Sequence, residues 1–251
     1  MTQKPTKWAK TLVIVGPTAS GKTSVSIEIA RKLGGEIISA DSRAIYKGMD
    51  IGTAKPDIVE QAGISHFGID LVDPDERFTV ADFKEYAEAK IDEILARGNL
   101  PIIVGGTGLY VDALIYDYNF NDEVKASQSD RQHLEHKFYT VGITTDREEL
   151  RERIHLRALQ MFDSEIVRET KALASKYDFS LQSMRSNIYP IVWSMIQGEV
   201  SREEAIRLFE FDDWHLAKRQ VTWHKRNPHI GWAERDKLAD LVYKNIDLLR
   251  A

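Results

Sequence analysis

Gly16-Pro17-Thr18-Ala19-Ser20-Gly21-Lys22-Thr23, directly after the apolar run Leu12-Val13-Ile14-Val15, fits the phosphate-cradling pattern G-x-x-x-x-G-K-[ST] at each defined position. Gly16 and Gly21 let successive backbone N–H groups converge on phosphate oxygens, and a helix starting near Lys22 adds the positive end of its dipole. Pro17, Thr18, Ala19 and Ser20 complete the cradle. Lys22 neutralises phosphate charge, and the Thr23 hydroxyl is a candidate ligand for a Mg²⁺ ion bridging the same oxygens, because a hard cation prefers oxygen donors. Val25, Ile29 and Leu33 give the next segment a helical apolar stripe, so the motif has the strand, loop and helix context that a chance match lacks. The chain is expected to grip a di- or triphosphate.

Outward from the loop, apolar runs recur at 11–15, 36–39, 100–104 and 138–143, separated by helical patterns. This alternation predicts an α/β fold, a P-loop NTPase-like parallel sheet flanked by helices. Residues 1–144 and 145–251 are expected to form one core with a helical carboxyl-terminal extension. Thr79 reads as the N-cap of a crossover helix closed by Gly98. Asp146-Arg147-Glu148-Glu149 reads as a capping box before a helix with an Ile154, Leu156, Leu159, Ile166 stripe. Ser201-Arg202-Glu203-Glu204 reads as a second, before a helix that Pro228 stops. Residues 117–137 are polar and aperiodic, and read as an exposed connection.

A chain of 251 residues without cysteine excludes disulfides and thiolate metal sites. Its first ten residues are basic but lead into a strand rather than a signal-peptide apolar region. No apolar stretch approaches membrane-spanning length, so a cytoplasmic monomer without a membrane partner is expected. The net charge of −5 opposes a polyanionic partner on average, but binding depends on the local field. Lys218, Arg219, Lys225 and Arg226, with Trp223 and His224, lie in a stretch free of acids from Trp214 through Trp232. Cations on phosphates and aromatic faces on unpaired bases suit RNA. Composition alone weighs equally an ordinary solvated helix whose Trp223 faces the core.

The strand Pro101-Ile102-Ile103-Val104 ends in Gly105-Gly106-Thr107-Gly108 rather than in an acid, which weakens an ordinary ATPase, GTPase or kinase reading. The acid appears instead as Asp41, after Ile37-Ile38-Ser39-Ala40, at a strand end where open α/β sheets place their ligand crevice. Alone, an aspartate there more often caps a turn. Its surroundings add more. Asp41-Ser42-Arg43-Ala44-Ile45-Tyr46-Lys47-Gly48-Met49-Asp50-Ile51-Gly52-Thr53-Ala54-Lys55-Pro56 stands between the phosphate loop and Gly105-Gly106-Thr107-Gly108-Leu109-Tyr110. With Ala217-Lys218-Arg219-Gln220-Val221-Thr222-Trp223, these motifs closely resemble the tRNA dimethylallyltransferase family over most of residues 11–117 and 138–233.

The resemblance implies transfer of a five-carbon prenyl group from dimethylallyl diphosphate to N6 of the adenine 3′ of a tRNA anticodon, with Mg²⁺ as cofactor. Asp41 then removes a proton as the weakly nucleophilic amine attacks. Lys22, the loop amides and the Thr107 hydroxyl stabilise the departing diphosphate. Asp41, Ser42, Arg43, Ala44, Tyr189, Lys218, Arg219, Gln220, Thr222, Trp223 and Lys225 are the implied contacts to the tRNA anticodon stem-loop. Three departures stand out. The family's longer helical insertion between Leu114 and Phe138 is nearly absent. Its Gly-Tyr-Arg/Lys segment becomes Ile188-Tyr189-Pro190. A Thr-Arg pair whose arginine is associated with diphosphate becomes Asp213-Trp214, with Arg43 and Arg219 as candidate replacements. An adenylate dimethylallyltransferase, a P-loop kinase and a non-catalytic RNA-binding relative remain the alternatives.

Overall fold

The computed structural model describes residues 11–120, 138–185 and 188–250. The amino-terminal ten residues and 121–137, where the reading of a shortened insertion falls, lie outside the described residues. The central strand β1 (Thr11–Val15) is buried along its whole length, as a strand covered on both faces must be. With β2 (Gly35–Ser39), β3 (His66–Phe67), β4 (Leu100–Gly105), β5 (Phe138–Thr144) and β6 (Gly231–Glu234) it forms a six-stranded sheet among the described residues, ordered β3-β2-β4-β1-β5-β6. Every neighbouring pair is parallel.

Ten helices among the described residues cover and extend this sheet. They are α1 (Lys22–Leu33), α2 (Ile58–Gln61), α3 (Val80–Ala96), α4 (Gly108–Ile115), α5 (Arg147–Asp163), α6 (Ile166–Ala174), α7 (Ile188–Ile196), α8 (Arg202–His224), α9 (Arg235–Lys244) and α10 (Asp247–Arg250). Alternate residues of β1 enter opposite layers. Val13 and Val15 pack with Ile38 and Ile103 under Phe83 and Ile91 of α3 and Tyr110 and Leu114 of α4. Leu12 and Ile14 pack with Ile37 and Ile102 under Val25 and Ile29 of α1 and Leu238 and Val242 of α9. Each such aliphatic side chain, fully buried, contributes about 1.5–3 kcal/mol. A third core joins Ile45 and Met49 to Met161 and Phe162 of α5, Tyr189 of α7 and Phe209 of α8.

Several expectations need correction. The carboxyl-terminal part is not a purely helical extension: β6 pairs with β5, Val141 opposite Gly231, and α9 packs onto the α1 layer. Four residues are too short to display alternation, so β6 left no pattern to read. On α5 the buried positions are Leu150, Ile154, Ala158, Met161 and Phe162, whereas Leu156 is 50% exposed and Ile166 opens α6. The two acidic boxes are single caps. Asp146 accepts the amides of Glu148 and Glu149, but the Glu149 carboxylate is taken by Arg153 at 2.5 Å. Ser201 likewise accepts the Glu204 amide at 3.1 Å while the Glu204 carboxylate binds Arg207. Thr79 and Asp82 do form the reciprocal box that starts α3. No helix among the described residues is long and apolar enough to cross a membrane.

Candidate active site

Because β2, β4 and β1 are neighbours, the segments leaving their carboxyl ends emerge side by side: Asp41 after β2, Gly105 to Thr107 after β4, and the phosphate loop after β1. In the loop, Ala19 (φ 58°) and Gly21 (φ 84°) take left-handed backbone, which turns successive N–H groups inward ahead of α1. A non-glycine residue held there is the kind of strain that ligand loops retain. The Lys22 ammonium donates to the Pro17 carbonyl at 2.6 Å. Its pKa is pushed down to about 8, chiefly by burial; Asp41 opposes the shift and Arg157 adds to it.

Asp41 and Thr107 are joined through Ser42. Thr107 Oγ1 accepts the Ser42 amide at 3.0 Å and donates to Ser42 Oγ at 3.3 Å, although Thr107 is also the N-cap residue of α4. Asp41 Oδ1 accepts the Arg43 amide at 2.8 Å, the turn-capping role that sequence alone would assign. Its Oδ2 has no hydrogen-bond partner among the described residues.

Helix α8 closes the crevice with residues spaced i, i+4, i+7 and i+11: Asp213, Ala217, Gln220 and His224. Gln220 Oε1 accepts the Thr18 amide at 2.7 Å. Its amide nitrogen would lie 2.3 Å from a Cβ added at Gly106, so glycine there admits α8 against the sheet edge. Asp213, 2% exposed, accepts from Thr18 Oγ1 at 3.4 Å and from Arg157 at 3.2 Å. Burial raises its pKa against the pull of Arg157. His224 is buried, and burial together with the Lys22 charge lowers its pKa to about 4. It is therefore neutral near pH 7 and adds no charge to the basic stretch.

The arginines beside the loop come from α5. Arg157 donates to Thr18 Oγ1, and Arg153, one turn earlier, donates to the Ser20 carbonyl at 3.1 Å. Of the two expected replacements, Arg43 donates to the Gln182 carbonyl at 3.2 Å and Arg219 is exposed. Arg153 and Arg157 were missed because an acidic and basic helix normally reads as a solvated face. The available signal was their i, i+4 spacing beside the buried Ile154 and Ala158. Trp214 and Ala19 both pack against Leu150, Ile154 and Ala217, and the Trp214 ring gathers Arg147, Arg151 and Lys218 at 5.5, 4.6 and 5.9 Å. Ser20 Oγ, Arg157 Nε and His224 Nε2 are buried around the loop without hydrogen-bond partners among the described residues. Such orphans mark a place where another polar group is accommodated.

The expected RNA contacts divide. Lys218, Arg219, Thr222 and Lys225 are exposed along α8 and its end. Tyr189 is fully buried and donates to Glu169 at 2.7 Å, while that carboxylate also accepts the amides of Ile51 and Gly52. Tyr189 thus has no surface to offer an RNA; it anchors the 50–52 turn. Ala44 is buried as well, and Gln220 is engaged with the loop. Trp223 is half-buried, packs against Gly108 and donates to Asp112 at 3.0 Å, closer to the core-facing alternative than to a free stacking platform.

A family model described as IPP transferase matches residues 44–137 and 121–227, and one described as isopentenyl transferase matches 9–75. A tRNA dimethylallyltransferase from Acetivibrio thermocellus is 38% identical over 298 aligned positions, covering 94% of this chain and 95% of its own length. Another from Alkaliphilus oremlandii is 36% identical, covering 88% and 90%. The full-length tRNA isopentenylpyrophosphate transferase of Bacillus halodurans has the same fold with a TM-score of 0.85 at 32% identity, over 96% of this chain and 97% of that one. A eukaryotic dimethylallyltransferase acting on tRNA shares the fold at 22% identity, with a TM-score of 0.73. The chain belongs to the IPP transferase family, whose curated relatives here are tRNA dimethylallyltransferases.

Proposed function

We propose that this protein transfers a dimethylallyl group from dimethylallyl diphosphate to N6 of the adenine 3′ of a tRNA anticodon. The observation that carries this reading is the joining of Asp41 and Thr107 through Ser42, on strand ends next to the phosphate loop. Lys22 and the loop amides hold the diphosphate, and the Thr107 hydroxyl donates to the oxygen that leaves carbon. Asp41 takes the amine proton as the new C–N bond forms. Among the described residues no group of three His, Cys, Asp or Glu side chains could hold a metal. Thr23, exposed at the start of α1, supplies one hydroxyl, which fits a Mg²⁺ held mainly by phosphate oxygens and water. Such an ion supplies further charge stabilisation to the leaving group.

The acceptor meets the exposed face of Lys218, Arg219, Thr222 and Lys225, with a reduced clamp. Two findings support the reduction. The family model matches in two pieces that meet at 121–137, and the 298 aligned positions with the Acetivibrio relative exceed this chain's length by 47. A cytoplasmic monomer suits a tRNA-modifying enzyme. Incubation with labelled dimethylallyl diphosphate and either total tRNA or AMP tests the assignment. Label is expected in tRNA; label in AMP, or in neither, refutes it.

A further inference from the structure

We propose that Asp213 is the resident counter-ion of the diphosphate site, so that the bound diphosphate and the ionised Asp213 exclude one another and donor binding takes up a proton. This rests on the reading that the phosphate loop holds the donor's diphosphate. The geometry is that of an internal anion seated against an anion site. Asp213 is 2% exposed, its carboxylate is 3.2 Å from Arg157 Nη1, and it accepts from Thr18 Oγ1 within the loop. Thr18 is engaged from both sides, its amide by Gln220 and its hydroxyl by Arg157 and Asp213. The protein therefore fills part of its own phosphate cradle.

Among the described residues, the charged groups that face Asp213 are Arg157 from α5, Lys22 from α1 and Asp41 from the turn after β2. Two cations face two carboxylates, so the set is neutral before any ligand arrives. A diphosphate adds several negative charges to a partly buried place where charges a few ångströms apart interact by kcal/mol rather than tenths. Protonating Asp213 is the smallest change that relieves the conflict. It breaks no covalent bond, and solvent supplies the proton. It leaves Arg157 free to turn from the aspartate to the phosphate, the geometry a guanidinium prefers. Burial already favours the neutral acid. The sign follows: a group whose proton affinity rises on binding strengthens the complex as pH falls.

Isothermal titration with inorganic pyrophosphate and excess Mg²⁺ tests this on wild type and Asp213→Asn. Run at pH 6 in two buffers of different ionisation enthalpy, it also counts the protons taken up. Lys22 is charged in both proteins at that pH, and pyrophosphate's own protonation is common to both titrations. Asp213→Asn is expected to bind about tenfold tighter or more, and to take up fewer protons than wild type. Thermal melts check that the variant is folded, and Asp213→Ser, also uncharged, repeats the comparison if the asparagine is not accommodated. An uncharged variant that binds no tighter, or one with unchanged proton uptake, overturns the inference and leaves Asp213 as an anchor for Arg157. Absence of pyrophosphate binding to both proteins overturns the phosphate-loop reading itself, and the inference with it.

Discussion

Replacing Lys22 with methionine should stabilise the free protein while weakening its hold on diphosphate. The ammonium's pKa falls from its ordinary 10.5 to about 8, with burial the largest cause. A tenfold change in proton affinity corresponds to about 1.4 kcal/mol, so holding the charge in the folded chain costs about 3 kcal/mol. Methionine loses the 2.6 Å bond from the ammonium to the Pro17 carbonyl, worth about 1.5 kcal/mol or more for a charged donor. Lys22 also keeps some solvent contact, which screens the cost further. A gain of about 1 kcal/mol remains on that accounting. The pH dependence gives the sharper test. Below pH 8 the lysine is charged in both folded and unfolded chains and the full cost applies. From 8 to 10.5 the folded chain releases its proton first and the cost shrinks; above 10.5 it has gone. Urea unfolding at pH 7 and pH 10 should show a gain for Lys22→Met that is largest at pH 7. Calorimetry should show pyrophosphate binding weaker by about 1.5–3 kcal/mol, the value of a hydrogen bond to a charged group. A variant less stable than wild type at pH 7, or equally favoured at both pH values, would refute the argument that burial of the ammonium strains the site.

Asp41→Asn should slow single-turnover transfer at saturating donor by about 10²–10⁴, because an amide cannot accept the adenine proton; transfer at the wild-type rate would leave Asp41 as a turn cap only. Tyr189→Phe should cost about 1.5–3 kcal/mol in urea unfolding, since a buried hydrogen bond to the Glu169 carboxylate is lost, while tRNA affinity in the folded variant stays the same. Lys225→Ala should lower the slope of log tRNA affinity against log salt by about 0.7, the share of one neutralised phosphate on a single strand, and leave pyrophosphate binding unaltered; an unchanged slope would take Lys225 out of the RNA surface.

What could be read from the chain follows the range of the interactions involved. The phosphate loop is a local rule: eight residues fix their own backbone, and the flanking apolar runs supply the strand and helix it needs. The α3 boundary was equally local, since Thr79 and Asp82 satisfy each other's amides within one turn. Where a carboxylate had a second suitor, local reading failed, as at Glu149 and Glu204, each taken by an arginine on the next turn. Strand β6 depends on pairing with β5, some ninety residues earlier, and four residues carry too little pattern to announce it. Tyr189 illustrates the opposite error. A tyrosine between an isoleucine and a proline could stack on a base, but its hydroxyl meets Glu169, and only the tertiary fold brings α6 and α7 together to show that.

Helix α8 was the hardest element to read because its amino-terminal half and its carboxyl-terminal half are buried by different chemistry. Ala205, Ile206 and Phe209 pack as an apolar stripe should, against α5 and α7. Beyond them the inward positions are Asp213, Ala217, Gln220 and His224, a series with no apolar period except one alanine. Those polar groups can be covered only because each has a specific counterpart: Arg157 for Asp213, the Thr18 amide for Gln220, and the backbone of Gly106 for His224. Each counterpart lies on the phosphate loop, on the loop after β4, or on an arginine reaching that loop. The stretch that looks least like a packing face is therefore the one that touches the phosphate loop. Lys218, Arg219, Thr222 and Lys225 point outward from the same rod, which at 23 residues is about 35 Å long. The same helix therefore carries two chemistries by its period alone: exposed cations on its outer side, and on its inner side Asp213 and Gln220, whose partners are Thr18 and Arg157.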